Sequence, residues 1–349
     1  MKNKRILKLV GSVCMVVALT LTLVLVSGCT TPYEEEGGPL SIGIFQIVSH
    51  PALNSAREGF KDAFKAALED EGLSETDVAF TERNAAGSMD MSYTIADYFV
   101  SLDVDLICAI ATPCVIAAAT AVEGTDIPVV FNSVTNPADV GIDDWEEPGG
   151  QVTGASDMAP VEPQIQLILD IFEANDIPLD KLGVMYNAGE PNSVYQVEVQ
   201  LAGAITALGL AVEVVAATVS TGADVPAAVQ TLVDAGVDVI WVPTDNTVVA
   251  GIEGLVGPCE ENDVPLFAAD TATVERGVIG CWGLDYYDLG YTSGEMAAEI
   301  LLDGANPATM PIQTAPANLL YLNPGAAERM GVTIPQSLID MATYVTEGE

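Results

Sequence analysis

The chain has 349 residues, of which 50 are acidic and 11 basic, with a single histidine and a formal charge of −39. Such a surface repels nucleic acid and anionic lipid, which argues against either as a docking partner. With one histidine, six cysteines at spacings that fit no zinc pattern, no Walker-type or Gly-x-Gly-x-x-Gly phosphate loop and no Gly-x-Ser-x-Gly elbow, neither a metal, a cofactor nor an enzyme is expected.

In chain order, Lys2, Lys4, Arg5 and Lys8 form a positive head, an apolar run extends from Val10 to Val26, and Ser27 and Gly28 precede Cys29. This order predicts an export signal over 1–28. Val26-Ser27-Gly28-Cys29 resembles the lipobox of bacterial-type lipoproteins, with valine where leucine is more usual. The resemblance implies a lipid on Cys29 and an extracytoplasmic protein anchored to the cell membrane. An uncleaved anchor is the alternative, because the run is about long enough to span. Residues 29–39, with three glutamates, two glycines and two prolines, read as a flexible tether. Removing the signal takes four basic residues and no acidic one, so the remaining body is more acidic still.

About 320 residues remain, enough for two domains, and they repeat themselves. Ile42-Gly43-Ile44-Phe45-Gln46 matches Leu182-Gly183-Val184-Met185-Tyr186, Val104-Asp105-Leu106-Ile107 matches Val237-Asp238-Val239-Ile240, and Ile127 to Phe131 matches Val264 to Ala268. Between these short apolar runs lie segments with helical periodicity, such as Ala56, Phe60, Ala63, Phe64, Ala67 and Leu68 in the first copy and Val197, Leu201, Ile205 and Leu208 in the second. The fold class is therefore α/β, as two similar doubly wound parallel-sheet lobes. In such sheets a ligand sits beyond the carboxyl ends of the strands, here in the cleft between the lobes. Cys108, Cys114, Cys259 and Cys281 read as buried thiols, with a Cys259–Cys281 disulfide as the alternative.

The run Ser49-His50-Pro51-Ala52-Leu53-Asn54, followed by Arg57-Glu58-Gly59-Phe60, resembles the first strand-helix junction of ABC transporter substrate-binding proteins of the type I periplasmic-binding fold, in the lipoprotein branch with tryptophan- and tyrosine-binding members. Ala111-Thr112-Pro113, Ser133 to Pro137, Gly154 to Asp157, Tyr186-Asn187 with Glu190 and Asn192-Ser193, Thr244-Asp245-Asn246, and Asp285-Tyr286-Tyr287 with Leu289-Gly290 extend the likeness over nearly all of 40–340. It implies a three-crossing hinge, with 40–155 plus 285–312 in one lobe and 156–284 plus 313–349 in the other. It also implies hinge closure on a small solute, an amino acid and an aromatic one by preference, for handover to an ABC permease and its ATPase. A sugar or nucleoside receptor, or a ligand-sensing lobe for a signalling partner, is the alternative on the same fold.

An amino acid needs an anion site, a cation site and a side-chain pocket. Thr112, Ser133 and Thr135, at strand ends, are candidates for the carboxylate. Asp157, Glu190, Asp245 and Asp270 are candidates for the ammonium, Asp245 foremost, and Gln46, His50, Tyr186, Asn187, Asn192 and Asn246 for orienting hydrogen bonds. Trp241 reads as core, whereas Trp282, Tyr286 and Tyr287 near a lobe crossing are candidates for an aromatic wall.

Overall fold

The structure, a computed structural model, describes residues 38–346, so the signal segment, Cys14, Cys29 and most of the tether lie outside the described residues. The first part runs β1 (Leu40–Gln46), α1 (Pro51–Asp70), β2 (Val78–Asn84), α2 (Met89–Ser101), β3 (Leu106–Ile110), α3 (Thr112–Ala121), β4 (Val129–Asn132) and β5 (Val152–Ser156). The second runs α4 (Val161–Ala174), β6 (Lys181–Tyr186), α5 (Pro191–Tyr195), α6 (Ala202–Ala207), β7 (Glu213–Thr218), α7 (Val225–Asp234), β8 (Val239–Val242), α8 (Asn246–Ala250), α9 (Glu253–Glu261), β9 (Leu266–Ala268) and β10 (Gly280–Gly283). The chain ends with α10 (Tyr286–Leu301), β11 (Gln313–Thr314), β12 (Leu319–Leu322), α11 (Pro324–Arg329), α12 (Gln336–Met341) and β13 (Tyr344–Val345). Among the described residues no helix is long and apolar enough to cross a membrane.

Two parallel sheets result, in the orders β2-β1-β3-β4-β5-β11 and β7-β6-β8-β9. Both place the second strand outside the first, so the repeat in the sequence is a repeat of topology. The shared Val-Asp motif has a physical role in this. Asp105, just before β3, accepts hydrogen bonds from Ser41 N and Oγ at the start of β1 (2.8 and 2.9 Å), and Asp238, just before β8, accepts from Asp180 N and Lys181 N at the start of β6 (2.8 and 2.7 Å). β3, β4 and β8 are buried at every residue, as parallel strands covered on both faces must be.

A third, small sheet of β10, β12 and β13 abuts β9 through the Ile279 N to Leu266 O bond of 2.9 Å. The chain thus passes from the first sheet to the second after β5, returns through α10 to β11, and leaves again for β12. The limits read from the sequence, 155 and 312, fall within β5 and just before β11, and the strands carry Ser156 and Gln313–Thr314 into the first sheet.

The returning helix α10 lies against α1 at backbone distance. A Cβ on Gly290 would overlap the Ala56 carbonyl, one on Gly294 the Phe60 carbonyl, and one on Gly59 the Tyr287 carbonyl. The Ala56–Gly290 and Phe60–Gly294 pairs ascend together, with Gly59 set between Tyr287 and Tyr291, so α1 and α10 run parallel with their N-termini at the same end. In the second copy the expected helix after Glu190 is interrupted by a π-helical stretch, Gln196–Leu201, which joins α5 to α6 while Leu201 stays in the core. Trp241 is fully buried and donates its indole N–H to Gln164 Oε1 at 3.0 Å. The four described cysteines are free and buried, so Cys259 and Cys281 are not joined.

The helix contact yields a direct expectation. Gly290→Ala should destabilise the protein by about 1–3 kcal/mol through overpacking, whereas Gly203→Ala in α6, where a Cβ meets open space, should be neutral or gain up to about 1 kcal/mol. Urea melts of the two variants read both values, and equal midpoints would refute the close-contact explanation.

Candidate functional site

In each parallel sheet the connections leave the first strand in opposite directions, which opens a crevice between the ends of β1 and β3 and between those of β6 and β8. The loops at these four ends face one another. Two cavities lie between them. One of about 260 Å³ is lined from the first sheet by Ile47, Val48, Met89 and Pro113, and from the second by Asn187, Glu190, Thr221, Asn246 and Thr247. The other, of about 10 Å³, has room for one water-sized group; His50, Ser133, Asp157, Asn192, Asp245, Asp270 and Tyr286 are on its wall.

The second-sheet wall is organised around two buried carboxylates satisfied by backbone. Glu190 Oε2 accepts from Asn246 N (3.1 Å) and Nδ2 (2.6 Å) and from Asn192 Nδ2 (3.2 Å), and Oε1 accepts from Thr247 N (3.0 Å) and Oγ1 (2.7 Å). Asp245 caps α8 by accepting from Val248 N at 2.8 Å and ties down the loop after β6 by accepting from Asn187 N at 2.6 Å. Burial pushes the Asp245 carboxyl up, and the charge of Glu190 pushes it further. Gln196, brought inward by the π-helical stretch, accepts from Thr244 N at 2.6 Å and steadies the same loop.

Two further carboxylates at the small cavity, Asp157 after β5 and Asp270 after β9, are less well satisfied. Asp157 accepts from the Thr135 hydroxyl (3.0 Å) and the Tyr286 hydroxyl (3.1 Å), and Asp270 from Ala272 N (2.8 Å). Burial pushes both carboxyls up to about 6. His50, the residue before α1, places Nε2 3.4 Å from Asn246 Oδ1 and Nδ1 3.8 Å from Asp270 Oδ2, the latter beyond hydrogen-bonding distance. Its burial holds it down at about 4, so it is neutral near pH 7. His50 Nδ1, Thr112 Oγ1, Asn192 Oδ1 and Thr244 Oγ1 are buried without a hydrogen-bond partner, a concentration of unsatisfied groups that marks a ligand-facing surface. Ala111 and Ser133, at the ends of β3 and β4, hold left-handed backbone (φ 77° and 60°), strain of the kind stored at binding loops.

Most of the expected site residues therefore meet around the two cavities. Thr112 is not a helix cap, since Ala111 precedes α3 as its cap residue and the Thr112 hydroxyl has no partner. Thr135 reaches the site through Asp157. Thr112 lines neither cavity, though its neighbour Pro113 borders the larger one; Gln46 spends its amide on Val48 O (2.7 Å) and Asn54 Oδ1 (2.9 Å), and Tyr186 packs against the core of the second sheet. Of the aromatic candidates only Tyr286 reaches the cavity. Trp282 lines a separate groove with Leu338 and Met341, and Tyr287 faces outward to bond Asp62 at 3.0 Å. Leu53, Thr247, Val249 and Gln196 belong to the site without having been expected; Thr247 could have been found as the residue after Asn246 in the first turn of α8. Among the described residues no group of three or more potential ligands could hold a metal.

The raised carboxyls fix a pH dependence. Asp270 binds its proton more tightly when folded than its ordinary 3.8, so its contribution to stability is present below about 3.8 and lost as pH rises through about 6. His50 has the opposite sign, its contribution being present above 6.5 and lost as pH falls through about 4. Asp270→Asn keeps the cap acceptor and removes the charge; it should melt higher than the parent near pH 7, with the advantage gone near pH 4. A constant difference in melting temperature across that range would show that the buried charge carries no cost.

Known proteins share this architecture. A tyrosine-binding protein of Clostridioides difficile (strain R20291) is 33% identical over 337 residues, covering 92% of this chain and 91% of that one. An ABC domain from Streptococcus pneumonia, solved in complex with L-Trp, superposes with a TM-score of 0.80 at 31% identity over 88% of this chain and 100% of that chain. The ligand-free, open structure of a substrate binding protein with adhesive properties from Clostridium difficile gives 0.63 at 32% identity, over 89% and 100%. At 31% and 32% identity, the superposition is closer on the complex than on the open structure. Residues 41–346 match the family described as ABC transporter substrate binding protein, and the chain belongs to that family.

Proposed function

We propose that this family member captures an aromatic amino acid between its two lobes and delivers it unchanged to an ABC permease and its ATPase. The observation that carries the reading is the pairing of a small polar cavity with a larger one walled by Ile47, Val48, Met89 and Pro113. The first suits the polar head of an amino acid and the second a ring. The likeness to an L-Trp complex and to a tyrosine-binding protein supports the same class.

In this proposal 40–155 plus 285–312 and 156–284 plus 313–349, with the crossings shifted to the ends of β5 and β11, are the lobes that rotate about the three crossings. Thr112, Ser133 and the start of α3 receive the ligand carboxylate. The site residues of both walls act only in the closed state, so ligand stabilises that state through contacts the open state lacks. Also proposed are export directed by 1–28, a lipid on Cys29, and a tether over 29–39 that keeps the acidic body beside its permease. No reaction on the cargo is part of this function.

A thermal-shift panel of amino acids, sugars and nucleosides tests the reading. An aromatic amino acid at a hundredfold excess over its dissociation constant should add about 2.7 kcal/mol of stability, and a response to a sugar or nucleoside alone would replace it. Thr112→Val should weaken that ligand about tenfold by removing a hydroxyl donor, while the ligand-free melting point stays unchanged or rises.

A further inference from the structure

We propose that the small cavity is a seat for a primary ammonium group, and that the protein therefore accepts aromatic amines lacking a carboxylate as well as amino acids. This deepens the amino-acid reading and rests on the same cleft.

The cavity wall is dominated by acceptors; the partnerless Thr244 hydroxyl, which can donate or accept, is the exception among its unsatisfied groups. Asn246 gives its Nδ2 to Glu190 at 2.6 Å, so the atom it turns toward His50 is the amide oxygen, an acceptor. His50 Nε2 must then carry the proton, which leaves the partnerless Nδ1 as an acceptor. Asn192 gives its Nδ2 to Glu190 (3.2 Å) and Thr244 O (2.6 Å), so its partnerless Oδ1 is also an acceptor. His50 and Asn192 are 6% and 2% exposed, and both line the cavity. Asp270 Oδ2 faces His50 Nδ1 across 3.8 Å, where two acceptors repel unless a donor bridges them. Asp157 completes the wall, with free lone pairs beside those engaged by Thr135 and Tyr286. The wall thus offers lone pairs and negative charge around a space of about 10 Å³. Water would present lone pairs of its own to this wall. An ammonium group has nearly the same size, three donors, no acceptor and the opposite charge.

Nothing comparable awaits a carboxylate. Among the described residues no lysine or arginine lines either cavity. Arg276, whose field reaches Asp270, is bound to Glu253 (2.7 and 2.8 Å) and to Val249 O (2.7 Å). A ligand carboxylate finds only neutral donors such as Thr112 Oγ1, in a site that already buries Asp157, Glu190, Asp245 and Asp270. The ammonium is the anchor and the carboxylate is dispensable.

Isothermal titration of the full chain with L-tyrosine, tyramine, N-acetyl-L-tyrosine and 3-(4-hydroxyphenyl)propionate, repeated with the matching tryptophan series, separates the outcomes. Tyramine or tryptamine should bind within about tenfold of its amino acid, while the acetylated and deaminated probes should fall by about a hundredfold or more, since they leave buried acceptors unpaired. If the amino acid binds but its amine falls below that tenfold range, or the deaminated acid matches it, the seat is wrong and the amino-acid reading stands. If the amine binds and the amino acid does not, the amino-acid reading fails and the seat stands. Binding of neither class, or stabilisation by sodium or calcium alone, overturns both.

Discussion

The approach of α10 to α1 sets the position of everything at the cleft. Gly59, Gly290 and Gly294 let the two helix backbones touch, and the contact is possible only in one register because each missing Cβ lies over a specific carbonyl. The first residue of α10 is Tyr286 and the residue before α1 is His50, so a parallel contact in that register delivers both side chains to the wall of one cavity. The same contact returns the chain to the first sheet after it has built the second. Topology, hinge and binding wall therefore share one close-packed interface, whose cost of distortion is steric and short-ranged.

Within that frame the buried carboxylates divide the work. Glu190 and Asp245 accept hydrogen bonds from backbone and amide N–H groups of the loops they join, which rigidifies that wall even though burial and the Glu190 charge push the Asp245 carboxyl up. Asp157 after β5 and Asp270 after β9 lean on two hydroxyls and a single N–H, and burial pushes their carboxyls up as well. A carboxylate satisfied by its own fold has little left for a ligand; one that is buried and under-supplied gains most from a cationic donor. Asp245, the leading candidate from sequence, belongs chiefly to the first kind, although its carboxyl also borders the small cavity.

Much of the site was legible because the same strand-end device is written twice. The Val-Asp-x-Ile motif clips the start of one strand to the next in both sheets, and it brought the ends of β3 and β8, hence Thr112 and Asp245, to matching places. What stayed illegible was the direction of individual side chains. Gln46 ends a strand as Asn187 follows one, but Gln46 turns back to Val48 and Asn54 while Asn187 bonds Thr247 across to α8. Trp282 and Tyr286 are near neighbours in sequence, but β10 turns the indole toward α4 and α12 while the start of α10 turns the phenol inward. The small residues of α10 could be read as a close-packing face, but nothing in the chain named α1 as its partner. The π-helical stretch that brings Gln196 to Thr244 depends on one extra residue per turn, which leaves no mark on hydrophobic periodicity.

Across the crevice, the polar contacts of His50 hold the closed arrangement only weakly. His50 meets the second wall through an Asn246 contact of 3.4 Å and faces Asp270 at 3.8 Å with no proton on the facing nitrogen at neutral pH. Neither interaction is worth much, and the second is unfavourable between a lone pair and a carboxylate. Protonating His50 would supply the missing donor, but burial holds its affinity for a proton well below the physiological range. A cation that brings its own protons meets no such barrier, because it pairs with carboxylates already desolvated by the fold. The free energy that favours the closed arrangement is therefore carried by the ligand, which lets an empty receptor reopen and a loaded one present a distinct shape to its partner.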